Sequence, residues 1–199
     1  MSYLRPLGAV PVDTPPPAPG TRQPPIYPLE VGGHGGYLEI RSSPADGACG
    51  VHSYPCQHPG LDVAGVQGTP VVAPENGTIV MAGNGNLSPY VGYGPWFVIV
   101  QGDQSGRYHL LAHLDQISAA MAPLGAQVTA GAQIGTTSSA NHTHWEVRDK
   151  MVPDFASGET NIDNNIDPIA WLASGKALMP MLLAGGAALL IYLIMRRTS

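Results

Sequence analysis

The chain has 199 residues, which is room for one ordinary domain with appendages. Charged residues make up 12% of the sequence and the formal net charge is -5. This balance argues against nucleic-acid binding, because neutralising phosphates depends on Lys and Arg. The 25 Gly and 20 Pro predict many turns and few long helices.

Residues 1–35 form a proline-rich region. Proline fixes φ and removes a backbone donor, so this region cannot join a helix or the interior of a sheet. The sequence predicts an extended or disordered arm, either a solvated tether or a strap on a partner such as a capsid or envelope protein. No continuous apolar run begins the chain, so no cleavable signal peptide is expected.

Residues 36–174 contain short β-rich runs separated by Gly, Asn and Asp turns. This spacing predicts one compact, all-β domain built mostly of antiparallel sheet. One short helix is expected near the end of the domain, with Asp167 as N-cap and Pro168 at its first position. The predicted strands are 37–41, 61–64, 69–73, 77–82, 96–101, 107–112 and 143–148.

The two cysteines of the chain, Cys49 and Cys56, lie in one loop of this domain. Two cysteines do not make a disulfide framework. Outside a reducing cytoplasm they predict a local disulfide, and the alternative is a pair of free thiols. Zinc ligation by these cysteines is the least favoured interpretation, because their spacing does not match a zinc ribbon.

Residues 175–199 form the third region. The run 177–195 contains no charged residue, and Arg196 and Arg197 follow it. At a rise of about 1.5 Å per residue, the run nearly crosses a hydrocarbon core of about 30 Å. It predicts one transmembrane helix that anchors the chain in a bilayer. By the positive-inside rule, the arginine pair predicts a C-terminus in the cytoplasm or in the lumen of a virion, with the β domain on the other side of the membrane.

Two short motifs contain residues suited to a metal site. In the strand-like run HTHWEVR, His142 and His144 share one face because side chains alternate along a strand. In HPGLD, His58 and Asp62 stand at the start of another strand. Each motif alone is a weak signal. Together they provide His58, Asp62 and His144 as three ligands with a fourth position open, the composition of a catalytic zinc site.

The order of motifs along the chain resembles the lysostaphin/LytM-type peptidases, the M23 metallopeptidases. HPGLDVAG looks like the first motif of that family, and TPVVAPENGTIVMAG looks like the strand-turn-strand after it. HLLAHLD is similar to the segment carrying a further histidine, GAQVTAGAQIGTT to a glycine-rich turn, and HTHWEVR to the family's H-x-H motif. IDPIAWL resembles the closing segment, so the resemblance covers about residues 37–173.

The resemblance implies one Zn²⁺ per chain, bound by His58, Asp62 and His144. It implies that His113 and His142 are the catalytic pair beside the metal, without deciding which of them is the general base. The implied reaction is hydrolysis of cross-links or stem peptides of bacterial peptidoglycan. Thr143 stands where the family usually has an apolar residue, but alternation turns it away from the metal.

Three further questions follow from the sequence. His109 stands four residues before His113 and could share its strand face, although a structural or exposed role is the favoured interpretation. A catalytically inactive binding or structural module of the same fold is the alternative function. An anchored wall hydrolase without an export signal also suits the membrane of a bacteriophage virion, and the alternative location is a bacterial cell envelope.

Overall fold

The computed structural model describes residues 22–32, 35–46, 55–87, 90–118, 123–151 and 164–175. These ranges contain short antiparallel strands and a single α-helix. The strands are β1 (Ile40–Arg41), β2 (Cys56–Gln57), β3 (Leu61–Ala64), β4 (Pro70–Val72), β5 (Gly77–Gly85), β6 (Gly94–Gly102), β7 (Tyr108–Ile117), β8 (Gln127–Val128), β9 (Gln133–Thr137), β10 (His142–Arg148) and β11 (Asn165–Ile166). The helix is α1 (Pro168–Ser174).

The main sheet has the strand order β11-β10-β7-β6-β5-β8, and all its pairings are antiparallel. Strand β10 is paired on both sides. One edge pairs with β7, and the other edge pairs first with β3 and then with β11. Strand β9 joins β4 to the far end of β7, and β1 forms a small separate sheet with β2. The prediction of a mostly antiparallel all-β domain is therefore confirmed.

Strand β10 shows how the sheet divides its side chains. Trp145 and Val147 point into the main hydrophobic core, where both are fully buried. His142, His144, Glu146 and Arg148 alternate with them and lie on the opposite face. We call these two sides the core face and the histidine face. A second apolar cluster, with Phe97 at its centre, packs on the histidine face and keeps that side of the sheet largely dry.

The part of the proline-rich region that is described packs on the domain. We call residues 22–32 together with Gly35 and Gly36 the N-terminal strap. Ile26 is buried in the main core, and the carbonyls of Pro25 and Glu30 accept hydrogen bonds from the amides of Val72 and Ala64. The backbone amides of Gln23 and Gly32 also donate to the domain, so the strap both accepts and donates hydrogen bonds along the sheet edges.

The helix prediction is confirmed. Helix α1 begins at Pro168, and the Asp167 carboxylate accepts a hydrogen bond from the amide of Ile169 at 2.8 Å. The sequence did not predict the strands β2, β8, β9 and β11. Strands β8 and β9 lie in the glycine-rich stretch predicted as a turn. Cys56 is disulfide-bonded, while Cys49 lies outside the described residues.

Within the described ranges, no helix has the length and apolar character needed to cross a membrane. The predicted span at 177–195 falls outside these ranges, as do residues 1–21.

Candidate metal centre

Three donor atoms converge on the histidine face. Nε2 of His58, Oδ1 of Asp62 and Nδ1 of His144 all lie within 4.8 Å of one another. The two imidazole nitrogens are 2.9 Å apart, Nδ1 of His144 is 2.9 Å from Oδ1 of Asp62, and Nε2 of His58 is 3.3 Å from that oxygen. All three side chains are buried. The structure thus brings together the three residues that the sequence predicts as metal ligands.

The sheet explains why these residues meet. His144 and Asp62 are directly opposite each other in the antiparallel pair of β10 with β3. His58 reaches the same place because the chain runs very close to β10 at Gly60. A Cβ atom on Gly60 would lie 2.6 Å from the carbonyl oxygen of Trp145 and 2.9 Å from Cε1 of His144. The glycine of the HPGLD motif is therefore a steric requirement.

Each converging side chain is fixed from behind by a second polar group. Nδ1 of His58 lies 3.0 Å from the carbonyl oxygen of Gly36, and Nε2 of His144 lies 2.9 Å from Oε1 of Glu146. Both partners are acceptors, so these nitrogens carry the protons. The other two nitrogens, Nε2 of His58 and Nδ1 of His144, face Oδ1 of Asp62, to which they hydrogen-bond when protonated and beside which they would offer lone pairs to a metal. Arg41 pairs with the outer oxygen of Asp62 at 3.2 Å.

This donor set fits zinc. Two imidazoles and one carboxylate are a common catalytic zinc composition, and ligating histidines usually donate their other N–H to an oxygen. The charges also suit a cation. Burial opposes charge on His144, but the carboxylates of Asp62 and Glu146 outweigh it and raise the pKa of His144 to about 9. Despite burial, hydrogen bonds from His144 and His58 hold the pKa of Asp62 far below its ordinary value.

The two predicted catalytic histidines lie beside this point. The His113 and His142 ring centroids are 4.6 Å apart, and His113 is 6.1 Å from the His144 ring. Nδ1 of His142 lies 2.9 Å from the carbonyl of Ala140, which leaves Nε2 facing Asp62 Oδ1 at 3.7 Å. Burial, followed by the nearby rings of His144 and His142, lowers the pKa of His113 to about 3.

A β-bulge brings His113 to the histidine face. Trp96 pairs with Leu114 and Val98 with Leu111, so Phe97 opposes two residues of β7, Ala112 and His113. His113 has a φ of 58°, in the left-handed region. Strict alternation would have placed it with Leu111 on the core face. The bulge turns it the other way.

The bulge is supported by the turn that precedes β6. The amide of His113 donates to the carbonyl of Tyr93 at 2.9 Å. A Cβ on Gly94 would lie 2.6 Å from Nδ1 of His113, so the backbone passes directly beneath the imidazole.

Sequence reasoning missed two further residues of the site, Glu146 and Tyr93. Glu146 accepts a hydrogen bond from His144 and another from the hydroxyl of Tyr93, at 2.8 Å, and Arg148 lies 3.2 Å from its second oxygen. Spacing could have found Glu146, since it stands two residues after His144 on the same face of a strand. Nothing local in the sequence points to Tyr93, which arrives from a distant turn.

His109 lies on the core face, away from His113. Its Nε2 is 2.8 Å from Oε1 of Glu75, and its Nδ1 accepts a hydrogen bond from the indole of Trp145 at 3.3 Å. Both ring nitrogens are used, and the ring is fully buried. The hypothesis that His109 shares a strand face with His113 is wrong, because the bulge separates them, and a structural role fits this geometry.

Comparison with known proteins gives a family for this site. A search of curated proteins found no match. The description "Peptidase family M23" belongs to a family model that matches residues 56–156, about half of the chain.

Solved structures share the fold. The catalytic domain of lysostaphin from Staphylococcus simulans is 24% identical with a TM-score of 0.50, over 73% of this chain and 93% of that one. LytU is 20% identical with a TM-score of 0.50, over 75% and 88% respectively. Csd3 of Helicobacter pylori is 16% identical with a TM-score of 0.53, over 92% of this chain and only 45% of its own length. Among the described residues, every histidine on the histidine face lies in the region that matches the family model. The chain belongs to peptidase family M23.

Proposed function

We propose that the protein is a zinc-dependent endopeptidase that hydrolyses peptide cross-links or stem peptides of bacterial peptidoglycan. Membership of an M23 peptidase family and a lysostaphin-like fold support a peptidase. The observation that carries the proposal is the convergence of His58 Nε2, Asp62 Oδ1 and His144 Nδ1 on the buried histidine face. When bound there, zinc supplies a Lewis acid that polarises a carbonyl and makes water more acidic.

The chain's own residues would orient the ligands and move the protons. The Ala140 carbonyl keeps the proton of neutral His142 on Nδ1, so its Nε2 is free to accept one from the attacking water. His113 is held neutral by its buried position, and its ring centroid lies 4.6 Å from that of His142. One of these imidazoles takes the proton of the water, and the other stabilises the developing oxyanion or protonates the leaving amine.

The test is digestion of purified peptidoglycan by the full chain. Fragments released by the zinc-loaded protein are identified by mass, which also identifies the bond that is cut. A chelator should stop the release, and added zinc should restore it. A zinc-loaded wild-type protein that never releases a fragment would favour the alternative, a binding or structural module that keeps the fold without the activity.

We also propose that residues 177–195 anchor this peptidase in a bilayer. The support is the uncharged run itself and the arginine pair after it. Full-length protein should stay with membranes after alkaline extraction, while a chain ending at residue 175 should be released. Detection in purified bacteriophage virions, or only in bacterial envelopes, would then assign the membrane.

A further inference from the structure

The N-terminal strap ends against two of the three converging ligands. The Gly36 carbonyl accepts the Nδ1 proton of His58 at 3.0 Å. That contact decides which nitrogen of His58 carries a proton, and therefore which nitrogen faces the metal position. The imidazole of His58 is fully buried, so no water competes for this role.

The strap also holds the backbone of Asp62 on both sides. The amide of Gly32 donates to the carbonyl of Asp62 at 2.8 Å, and the amide of Asp62 donates to the carbonyl of Gly35 at 2.8 Å. The amide of Gly35 in turn donates to the carbonyl of Gly32 at 3.1 Å. These three hydrogen bonds join Gly32 and Gly35 to each other and to Asp62, so Asp62 cannot shift along β3 without breaking them.

The strap approaches Asp62 so closely that only glycine fits at position 35. A Cβ atom on Gly35 would collide with Cβ of Asp62, lying also 3.2 Å from its Cγ and 2.9 Å from the carbonyl oxygen of Gly32. Its φ is outside the left-handed region, so the collision alone opposes a side chain. At Gly36 the nearest atom would be Oε2 of Glu39, at an ordinary 3.7 Å. At Gly32 the nearest would be the Asp62 carbonyl oxygen at 3.6 Å.

The other end of the strap is fixed far from the site. The backbone amide of Gln23 donates a hydrogen bond to the carbonyl of Pro74 at 2.8 Å, and Ile26 is buried in the main core. The strap therefore connects the core packing near β4 to the ligands near β3. It also lies wholly outside the residues that match the family model, 56–156.

We propose that the N-terminal strap is a positioning element of the metal centre, which sets the tautomer of His58 and the placement of Asp62 through Gly32, Gly35 and Gly36. This inference rests on the proposed zinc site. Groups that orient ligands from behind typically change metal affinity by about 10- to 100-fold when they are disturbed. Disturbing the strap at Gly35 should therefore weaken zinc binding without removing a ligand.

The first experiment measures the zinc affinity of full-length variants by competition with a chromogenic chelator. Gly35→Ala should bind zinc about 10- to 100-fold more weakly than the wild type. Val31→Ala is the control, since Val31 lies in the same strap with an exposed side chain and has no part in holding His58 or Asp62, and this variant should bind zinc as the wild type does. Equal affinity of Gly35→Ala and Val31→Ala would overturn the inference.

A second measurement on the wild type keeps the test decisive if Gly35→Ala does not fold. Binding of zinc and closure of the strap on Asp62 are linked, so each must favour the other. Zinc should therefore slow hydrogen exchange of the Gly32 amide more than that of the Gln23 amide, at the far end of the strap. An unchanged Gly32 amide, or equal slowing at both ends, would contradict the inference. If the wild type binds no zinc at all, it is the proposed function that fails.

Discussion

Two buried histidines on opposite faces of the sheet have opposite properties. His144 lies on the histidine face between the carboxylates of Asp62 and Glu146, which raise its pKa to about 9 in spite of burial. His109 lies on the core face with one carboxylate, that of Glu75, and there burial wins and lowers its pKa. The two residues are close along the sheet, since His109 pairs with Val147 of β10.

The two histidines differ in whether their hydrogen-bond partners leave a ring nitrogen available for a metal. His109 gives one nitrogen to Glu75 and the other to Trp145, so nothing remains for a metal or a substrate. His144 gives Nε2 to Glu146, and its Nδ1 faces two further potential metal ligands, Oδ1 of Asp62 and Nε2 of His58. Burial therefore does not distinguish a structural histidine from a metal-binding one. A metal-binding histidine is distinguished by a ring nitrogen that faces other potential metal ligands.

The strongest way to break this comparison is to remove each imidazole in turn. His144→Ala should abolish zinc binding and peptidoglycan hydrolysis, because it deletes a donor. His109→Ala should keep zinc but lose about 3 kcal/mol of unfolding free energy, because it leaves a cavity in the core and removes a buried hydrogen-bond partner of Glu75. Metal content by atomic emission and urea unfolding at pH 7 check the two outcomes. Loss of zinc from the His109 variant would contradict the comparison, because it would show that a histidine on the core face is also needed for zinc binding.

Alternation along β10 gives a second test. His142→Ala should lower kcat by about 10²- to 10⁴-fold with zinc retained, as for loss of a general acid or base. Its neighbour Thr143 is the control, because it is buried on the core face and its hydroxyl has no hydrogen-bond partner among the described residues. Thr143→Val should leave kcat unchanged and the protein at least as stable. A His142 variant with normal turnover would remove this residue from the chemistry.

The bulge at His113 can be tested without touching a histidine. Gly94→Ala places a methyl group 2.6 Å from Nδ1 of His113. A misplacement of this kind should reduce kcat/KM by about 10²-fold, with zinc still bound. Gly106→Ala is the matched control, because Gly106 also has a positive φ, 65°, but has nothing within 4 Å of an added Cβ. If both variants lost activity equally, backbone strain rather than His113 would explain the result.

The smallest expected effect is a pH dependence from His109. Burial lowers its pKa below the 6.5 of an exposed imidazole. At a pH between the lowered pKa of folded His109 and 6.5, the unfolded chain binds more protons than the folded chain. The free energy of unfolding therefore rises with pH in this window, and stability is lost as pH falls below 6.5. His109→Gln should remove this component. The difference in unfolding free energy between the two proteins, measured from about pH 5 to pH 7.5, cancels the other histidines; a flat difference would contradict the assignment.

The sequence predicted those parts of the site that obey a regular strand. Strand β10 has no bulge, so counting by two was enough to place His142 and His144 together and Thr143 behind them. Glu146 obeys the same count and was overlooked. The position of His113 could not be derived by counting, because the bulge that turns it depends on a distant turn at Tyr93 and Gly94.

Long-range packing explains the other gaps. The prolines predicted an extended N-terminal region, but only the folded domain provides the edges of β3 and β4 on which the strap lies. Strands β8 and β9 are held by neighbours far away in sequence, and their glycines hid them. The membrane span at 177–195 and the Cys49–Cys56 bond stay predictions.

The pairing of β10 limits which parts of this protein can change. Both of its edges are occupied, by β7 on one side and by β3 and β11 on the other. A strand closed in this way cannot slide, so His142, His144 and Glu146 keep their relative positions whatever peptide approaches them. Under the proposed function, variation that adapts the protein to a different wall chemistry would therefore accumulate in the connections between strands, while the residues of the histidine face keep their arrangement.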